Sequence, residues 1–261
     1  MSTAPRRIIA CALALVAAVA ARSEPAVIGL ARAYLGPDST LTGIQTIHLV
    51  GTLDRVDPDH PLNPSHGSLD LIFSKPMRQH LVVRSERTTL TTVVDGYDAW
   101  DFEVDNADAT KFRLTWLAAA DIKTLRANTW ENLYFYRGLD GEGSVVDMGP
   151  ATVDGITCER LDFTHGPGIV YERFFDRDTG RLVLTIRGPE TIRESGEILV
   201  DGLRFSKTIV STTKTASGKD LVSTVTFSSI VLNEPLGPDV FEVPNIDPSK
   251  AVASVAGLPA R

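Results

Sequence analysis

Over most of the chain apolar and polar residues alternate with a period of two, the signature of half-buried β-strands. The central stretch, 153–187, reads as three strands in a row: Cys158–Thr164, Ile169–Phe175 and Arg181–Arg187. Each is rich in β-branched and aromatic residues and is bounded by turn residues. In the third, Leu182, Leu184 and Ile186 alternate with Val183, Thr185 and Arg187, so one face is apolar, as in an antiparallel sheet with one wet side. The breaks are His165-Gly166-Pro167-Gly168 and Asp176-Arg177-Asp178-Thr179-Gly180. The second is a hairpin signal, because Asp tolerates tight turns and Gly supplies positive φ.

The same rhythm predicts strands at Thr46–Leu53, Ser68–Ser74, Arg78–Glu86, Thr88–Val94, Ala99–Glu103 and Lys111–Thr115 before this stretch, and at Ser144–Met148 leading into it. After it the pattern predicts Glu190–Val200, Leu203–Thr215 and Asp220–Asn233, with turns at Asp201-Gly202 and Ser217-Gly218. Asp54–Gly67, with three prolines and no periodicity, reads as a loop. Two segments keep helical spacing instead. In Glu24–Leu35, Val27, Leu30, Ala31, Tyr34 and Leu35 form one stripe, ended by Gly36-Pro37. From Trp116 to Tyr136, Leu117, Ala120, Leu125, Trp130, Leu133 and Tyr134 fall at helical intervals, and Asn128-Thr129 offers a cap dividing the segment into two short helices. Glu234–Pro244 is expected to pack Val240, Phe241 and Val243 near a sheet edge. The fold class is therefore mainly β with a few helices. About twelve antiparallel strands in one sheet curl rather than stay flat, giving an open, incomplete barrel with helices in its mouth around an apolar cavity.

The first twenty residues do not share this rhythm. Arg6 and Arg7 precede an apolar run, Ile8–Ala20, that ends in Ala18-Val19-Ala20. The layout is that of a secretory leader, and the run is shorter than the about 20 residues of a membrane span. Its removal takes the net charge from −7 to −9 and leaves Cys158 as the one cysteine, so no internal disulfide is expected. An acidic surface disfavours nucleic acid as a partner and tight adhesion to a surface of anionic lipid headgroups. The mature chain has no second long apolar segment, so no integral membrane segment is expected after cleavage. The expected organisation is a leader at 1–20, one domain at 24–244 and a frayed tail at 245–261.

Chemistry is sparse. The sequence contains no GxSxG, P-loop, HExxH or CxxC motif. Cys158 and His165, seven apart, face opposite sides of a strand running through both, which argues against a thiol–imidazole pair. His60, His66, Asp57 and Asp59 match no metal-ligand spacing, and the acidic group from Asp95 to Asp108 lacks the order of a calcium loop. No catalytic residue, metal or cofactor is expected. The aromatic set is the candidate site. Trp100 and Phe102 share parity on one strand, Phe112, Leu114 and Trp116 share it on the next, and Leu125, Trp130 and Tyr134 lie on the helical segment. All eight are expected to line one hollow suited to an amphipathic ligand.

The order of elements resembles the LolA-like superfamily of periplasmic lipoprotein carriers and their relatives. The resemblance rests on "TIHLVGTL" after an N-terminal helix, "VDGITCERLDF" followed by "FFDRDTGRLV", "VDGLRFSKTIV" before the last hairpin, and a closing "PDVFEVP". It extends over Glu24 to Pro244. It implies an open barrel with a helical lid that binds lipid acyl chains or lipidated proteins in the periplasm. Other members of the superfamily are stress sensors that regulate an anti-sigma factor and carry a second C-terminal domain, which is not expected here. The expected function is a non-enzymatic carrier whose partner is a lipid or the acyl chain of a lipoprotein. The alternative is a module of the same fold that binds another envelope protein.

Overall fold

The structure, a computed structural model, describes residues 24–59, 65–138 and 143–245. The leader at 1–20, the tail from 246 onward and His60 of the proline loop lie outside the described residues. In chain order the elements are α1 (Ala26–Leu35), α2 (Asp38–Gly43), β1 (Thr46–Val56), β2 (Ser65–Ser74), β3 (Arg78–Ser85), β4 (Thr88–Asp95), β5 (Asp98–Asp105), β6 (Phe112–Trp116) and α3 (Ala119–Tyr134). They continue with β7 (Ser144–Val153), β8 (Ile156–Gly166), β9 (Ile169–Asp176), β10 (Leu182–Arg187), β11 (Glu190–Ser195), β12 (Ile198–Val200), β13 (Leu203–Phe205), β14 (Thr208–Lys214), β15 (Asp220–Leu232) and a final 3₁₀ turn (Pro238–Phe241).

Thirteen strands form one antiparallel sheet in the order β6-β5-β4-β3-β2-β1-β15-β14-β11-β10-β9-β8-β7. The sheet is curled and open. Its two edges, β6 and β7, are consecutive in sequence, and α3 is the segment that joins them. A helix of 16 residues spans about 24 Å. Joining one edge to the other, it has to cross the mouth of the curl, so the connectivity makes α3 a cover.

Curvature has a local source at the sheet's centre. The register between β1 and β15 shifts between Val50 and Gly51, leaving Ser228 as the extra residue of a bulge. Bulges bend and twist the strand that carries them. A Cβ on Gly51 would stand 2.3 Å from the Thr226 carbonyl oxygen, so the bulge admits only glycine there. Gly180 is a second close approach. Its φ is +75°, and a Cβ would stand 2.3 Å from the Leu30 carbonyl carbon, so the β9–β10 turn seats α1 by backbone contact.

Two cores share the concave face. One joins Leu41 and Ile44 to Ile47, Leu49, Leu69, Phe73, Phe227 and Ile230 of the central strands, closed above by Leu133, Phe135 and Leu203. The other packs Val27, Ile28 and Ala31 of α1 with Ala127 of α3 onto Leu161, Phe163, Tyr171 and Phe175.

Several expectations are corrected here. The α1 stripe is rotated: Ile28 and Arg32 are buried, and Leu30 is exposed. Residues following Pro37 form a short helix before β1. The segment 119–134 is one helix, undivided at Asn128-Thr129. There the Thr129 hydroxyl donates to the Leu125 carbonyl one turn back, at 2.9 Å, and is buried in place of capping a new helix. The strands expected at 190–200 and 203–215 each break. Gly196 takes φ +66°, and β12 pairs with β13 in a separate two-stranded ribbon against α1. The strand total is accordingly fifteen among the described residues.

Candidate functional site

Paired residues of an antiparallel ladder share a face, so the register decides where each predicted site residue points. Ile47 and Leu49 belong to the core under α3, and they pair with Phe73 and Leu71. Ile72 therefore faces the other way. From Ile72 the ladder runs to His80, then to Val93, then to Trp100, and from Trp100 to Trp116. Phe102 pairs with Leu114, and Val104 with Phe112. Trp100, Phe102, Phe112, Leu114 and Trp116 thus all lie on the convex face. Trp100 is buried there with Ile72, Val93 and Phe241, and Phe102 and Leu114 pack against the same group. Phe112 stands 5.6 Å from Phe102, and Trp116 is 61% exposed. The expectation that these five line the hollow is corrected. Alternation shows that β5 and β6 have one apolar face, but the segment 236–241 covers that face from outside.

The remaining three are on α3. Trp130 stacks on Tyr134 at 3.8 Å, and the indole N–H donates to the Gly138 carbonyl at 3.2 Å. The Tyr134 hydroxyl donates to the Pro76 carbonyl, and its ring packs against the central core. Leu125 is half-buried, its carbonyl taken by Thr129. None of the eight lines the hollow described next.

The hollow lies under α3, between the two cores. Two linked cavities of about 240 and 250 Å³ share Leu49, Phe73, Asn128, Asn132, Phe205 and Ile209 among their walls. Each far exceeds the about 15 Å³ that admits one water molecule. The roof is one face of α3, Asn128, Glu131 and Asn132 at i, i+3 and i+4, continued by Phe135 just past the helix end, where φ is +49°. That spacing is present in the sequence, but three of the four are polar, so an apolar-periodicity reading passes over it. The floor at one end is apolar, formed by Leu49, Leu69, Leu71, Phe73, Val225 and Phe227. The other end is polar, with Glu131, Tyr136, Tyr171, Arg173, Thr185 and Arg204. A third cavity of about 140 Å³ shares Tyr136, Arg204 and Ser206 with this end and runs outward between α1 and the β12–β13 ribbon.

Electrostatics concentrate at the polar end. Glu131 of α3 accepts from Arg173 of β9 and bonds His165 of β8 at 2.5 Å, and all three side chains are almost wholly buried. Burial works against the Glu131 carboxylate, but Arg173 and His165 outweigh it and hold its pKa below the usual range. Burial likewise opposes the Arg173 charge, and Glu131 sustains it. Burial pushes the phenols of Tyr136 and Tyr171 up, so both are neutral, and the Tyr171 oxygen accepts from Arg187 at 3.5 Å. The cover is also held from outside. Buried Arg32 of α1 donates to the carbonyls of Tyr134, at 3.2 Å, and Phe135, at 2.7 Å, and pairs with Asp38 at 2.6 Å. Both carbonyls lie at the α3 C-terminus, the place where a cation is favoured, and that of Tyr134 also accepts from the Arg137 N–H at 3.0 Å. Cys158 is buried in a separate cluster with Phe174 and Val183, away from His165.

No protein-family model matches the chain, and no curated protein matches it in sequence. Solved structures do resemble it. A LolA superfamily protein from Nitrosomonas europaea superposes with a TM-score of 0.55 at 12% identity, over 82% of this chain and 95% of that one. A DUF1329 family protein from Desulfovibrio piger gives 0.54 at 12%, over 83% and 96%. An outer membrane lipoprotein-sorting protein domain from Vibrio parahaemolyticus gives 0.54 at 9%, over 82% and 95%. The curled thirteen-stranded sheet is thus similar in fold to these solved structures, a LolA superfamily protein among them.

Proposed function

We propose that the chain is an envelope binding or carrier protein that holds an acyl chain, of a lipid or of a lipidated protein, in the hollow beneath α3. The observation that carries this reading is the cavity of about 250 Å³ over an apolar floor of Leu49, Leu69, Leu71, Phe73, Val225 and Phe227. Pockets that bind small amphiphiles are apolar concavities with a few polar groups at one end, and this hollow has that layout. The fold likeness to a lipoprotein-sorting domain supports the same reading. The leader-like first twenty residues support a periplasmic site of action. The reading assigns no catalytic step, and its ligand sites are the floor residues and the α3 face.

The test is native mass spectrometry of protein purified from a periplasm without detergent, alongside Ile209→Trp. Ile209 lines both cavities, and an indole there fills the space. The expected result is an added mass that organic extraction removes and that Ile209→Trp reduces at least about tenfold in occupancy. An apo mass that stays apo when acyl lipids are offered would count against the carrier reading. A second reading, docking of another envelope protein, is favoured by exposed Trp116 and Met148 on the two open edge strands. Retention of an envelope protein that is lost on Trp116→Ser would support it.

A further inference from the structure

The polar end of the hollow contains a donor without an acceptor. Arg173 is 7% exposed, and its guanidinium lies among the rings of Tyr136, Phe163 and Tyr171 at 4.9, 5.1 and 5.5 Å. One terminal nitrogen, Nη1, donates to Glu131, while Nε is buried with no partner among the described residues. Burying a donor without an acceptor is costly, so this nitrogen favours any ligand that brings an acceptor to it. Arg204, on the ribbon, also lines this end, but its guanidinium is engaged by Glu197 at 2.9 Å and by the Tyr34 carbonyl at 2.7 Å, which leaves Arg173 as the group that faces a ligand here. The carboxylate of Glu194, also in this wall, is already engaged by the Ser206 hydroxyl at 2.5 Å.

We propose that this end reads the ligand's head group: an anionic oxygen of an acyl amphiphile, carboxylate or phosphate, takes the Arg173 guanidinium in place of Glu131, while the chain lies along the apolar floor. This rests on the carrier reading above and adds the ligand's polarity and orientation to it. It also joins recognition to the cover. Glu131 belongs to α3 and Arg173 to the sheet, so a head group that displaces Glu131 removes one of the ties holding the helix down. His165 remains as the second partner of the displaced carboxylate.

Three probes with the same sixteen-carbon chain decide the matter: hexadecanoate, hexadecyl phosphate and methyl hexadecanoate, each titrated against the full mature protein. Charge-assisted hydrogen bonds to a buried guanidinium predict that at least one acid binds about tenfold or more tighter than the ester. The stronger acid distinguishes a carboxylate from a phosphate source. Glu131→Gln, which frees Arg173, is expected to widen the acid-to-ester ratio. The double variant Glu131→Gln with Arg173→Gln leaves no orphan charge and is expected to bring the ratio to about one. Since the ratio is taken between two ligands on one protein, a general loss of stability does not imitate it. If the double variant does not fold, the ratio in the unsubstituted protein and its change in Glu131→Gln still decide. Ester and acids binding equally would overturn the head-group assignment and leave the carrier reading intact. Binding of none of the three would remove both.

Discussion

At the scale of single residues, the ionisable groups placed by the fold do two different jobs on the two faces of the sheet. On the concave face, Glu131, His165 and Arg173 form a buried set whose hold on α3 depends on an ionised carboxylate. On the convex face, His48 of β1 places Nδ1 2.6 Å from Glu234 and Nε2 3.0 Å from Asp70. Two carboxylates on the two ring nitrogens need two donors, which only the imidazolium supplies. Partial burial opposes that charge, but Glu234 and Asp70 outweigh it and raise the His48 pKa. A raised folded pKa means that the stabilisation is complete below the unfolded value, near 6.5, and is lost as pH rises through the folded value. Glu234 opens the segment that carries Leu236, Val240 and Phe241 over Trp100. Hydrogen exchange at 234–241, corrected for its intrinsic pH dependence, is expected to show stronger protection at pH 6 than at pH 8. His48→Gln is expected to abolish that difference; equal protection at both pH values in the unsubstituted protein would refute the pairing.

At the scale of elements, α3 is the part whose behaviour matters most, and it is poorly suited to stand alone. Leu133 and Ala127 anchor it in the two cores, but the face over the hollow is Asn128, Glu131 and Asn132, so specific polar ties share in holding it down. Arg32, buried beneath the end of α3, is one of these ties. Arg32→Ala is expected to remove two charge-assisted hydrogen bonds from the end of α3, at a cost of about 2 kcal/mol. Exchange protection across 119–134 should fall while that of β1 and β15 stays, and an equal loss everywhere would mean that Arg32 supports the whole domain. The sequence showed the strands better than the cover. Period-two alternation and turn glycines mark most of the ladder, because a half-buried strand writes its two faces into the chain. Alternation does not say which face is concave. Trp100 and Phe102 were therefore readable as an apolar face but not as one turned outward, a fact fixed by the pairing with β4 and by Phe241 from the far end of the chain. Arg32 was equally hidden, since its partners lie 102 and 103 residues away.

At the scale of the molecule, one topological fact organises the rest. The sheet is laid down from its centre to one edge and then from the other edge back to the centre, where β15 pairs with β1. The two halves carry separate cores on the concave face, and the hollow is the space between them. The bulge at Gly51 sharpens the curl at the seam, and α3 crosses over it. The central claim is that this space, rather than the aromatic convex face, receives an acyl chain. Photo-crosslinking with a fatty acid carrying a diazirine in its chain, followed by peptide mapping, tests that claim most directly. The account predicts adducts in 46–56, 65–74 and 203–214, reduced by Ile209→Trp. Adducts confined to 98–116 and 236–243 would place the ligand on the convex face and contradict it.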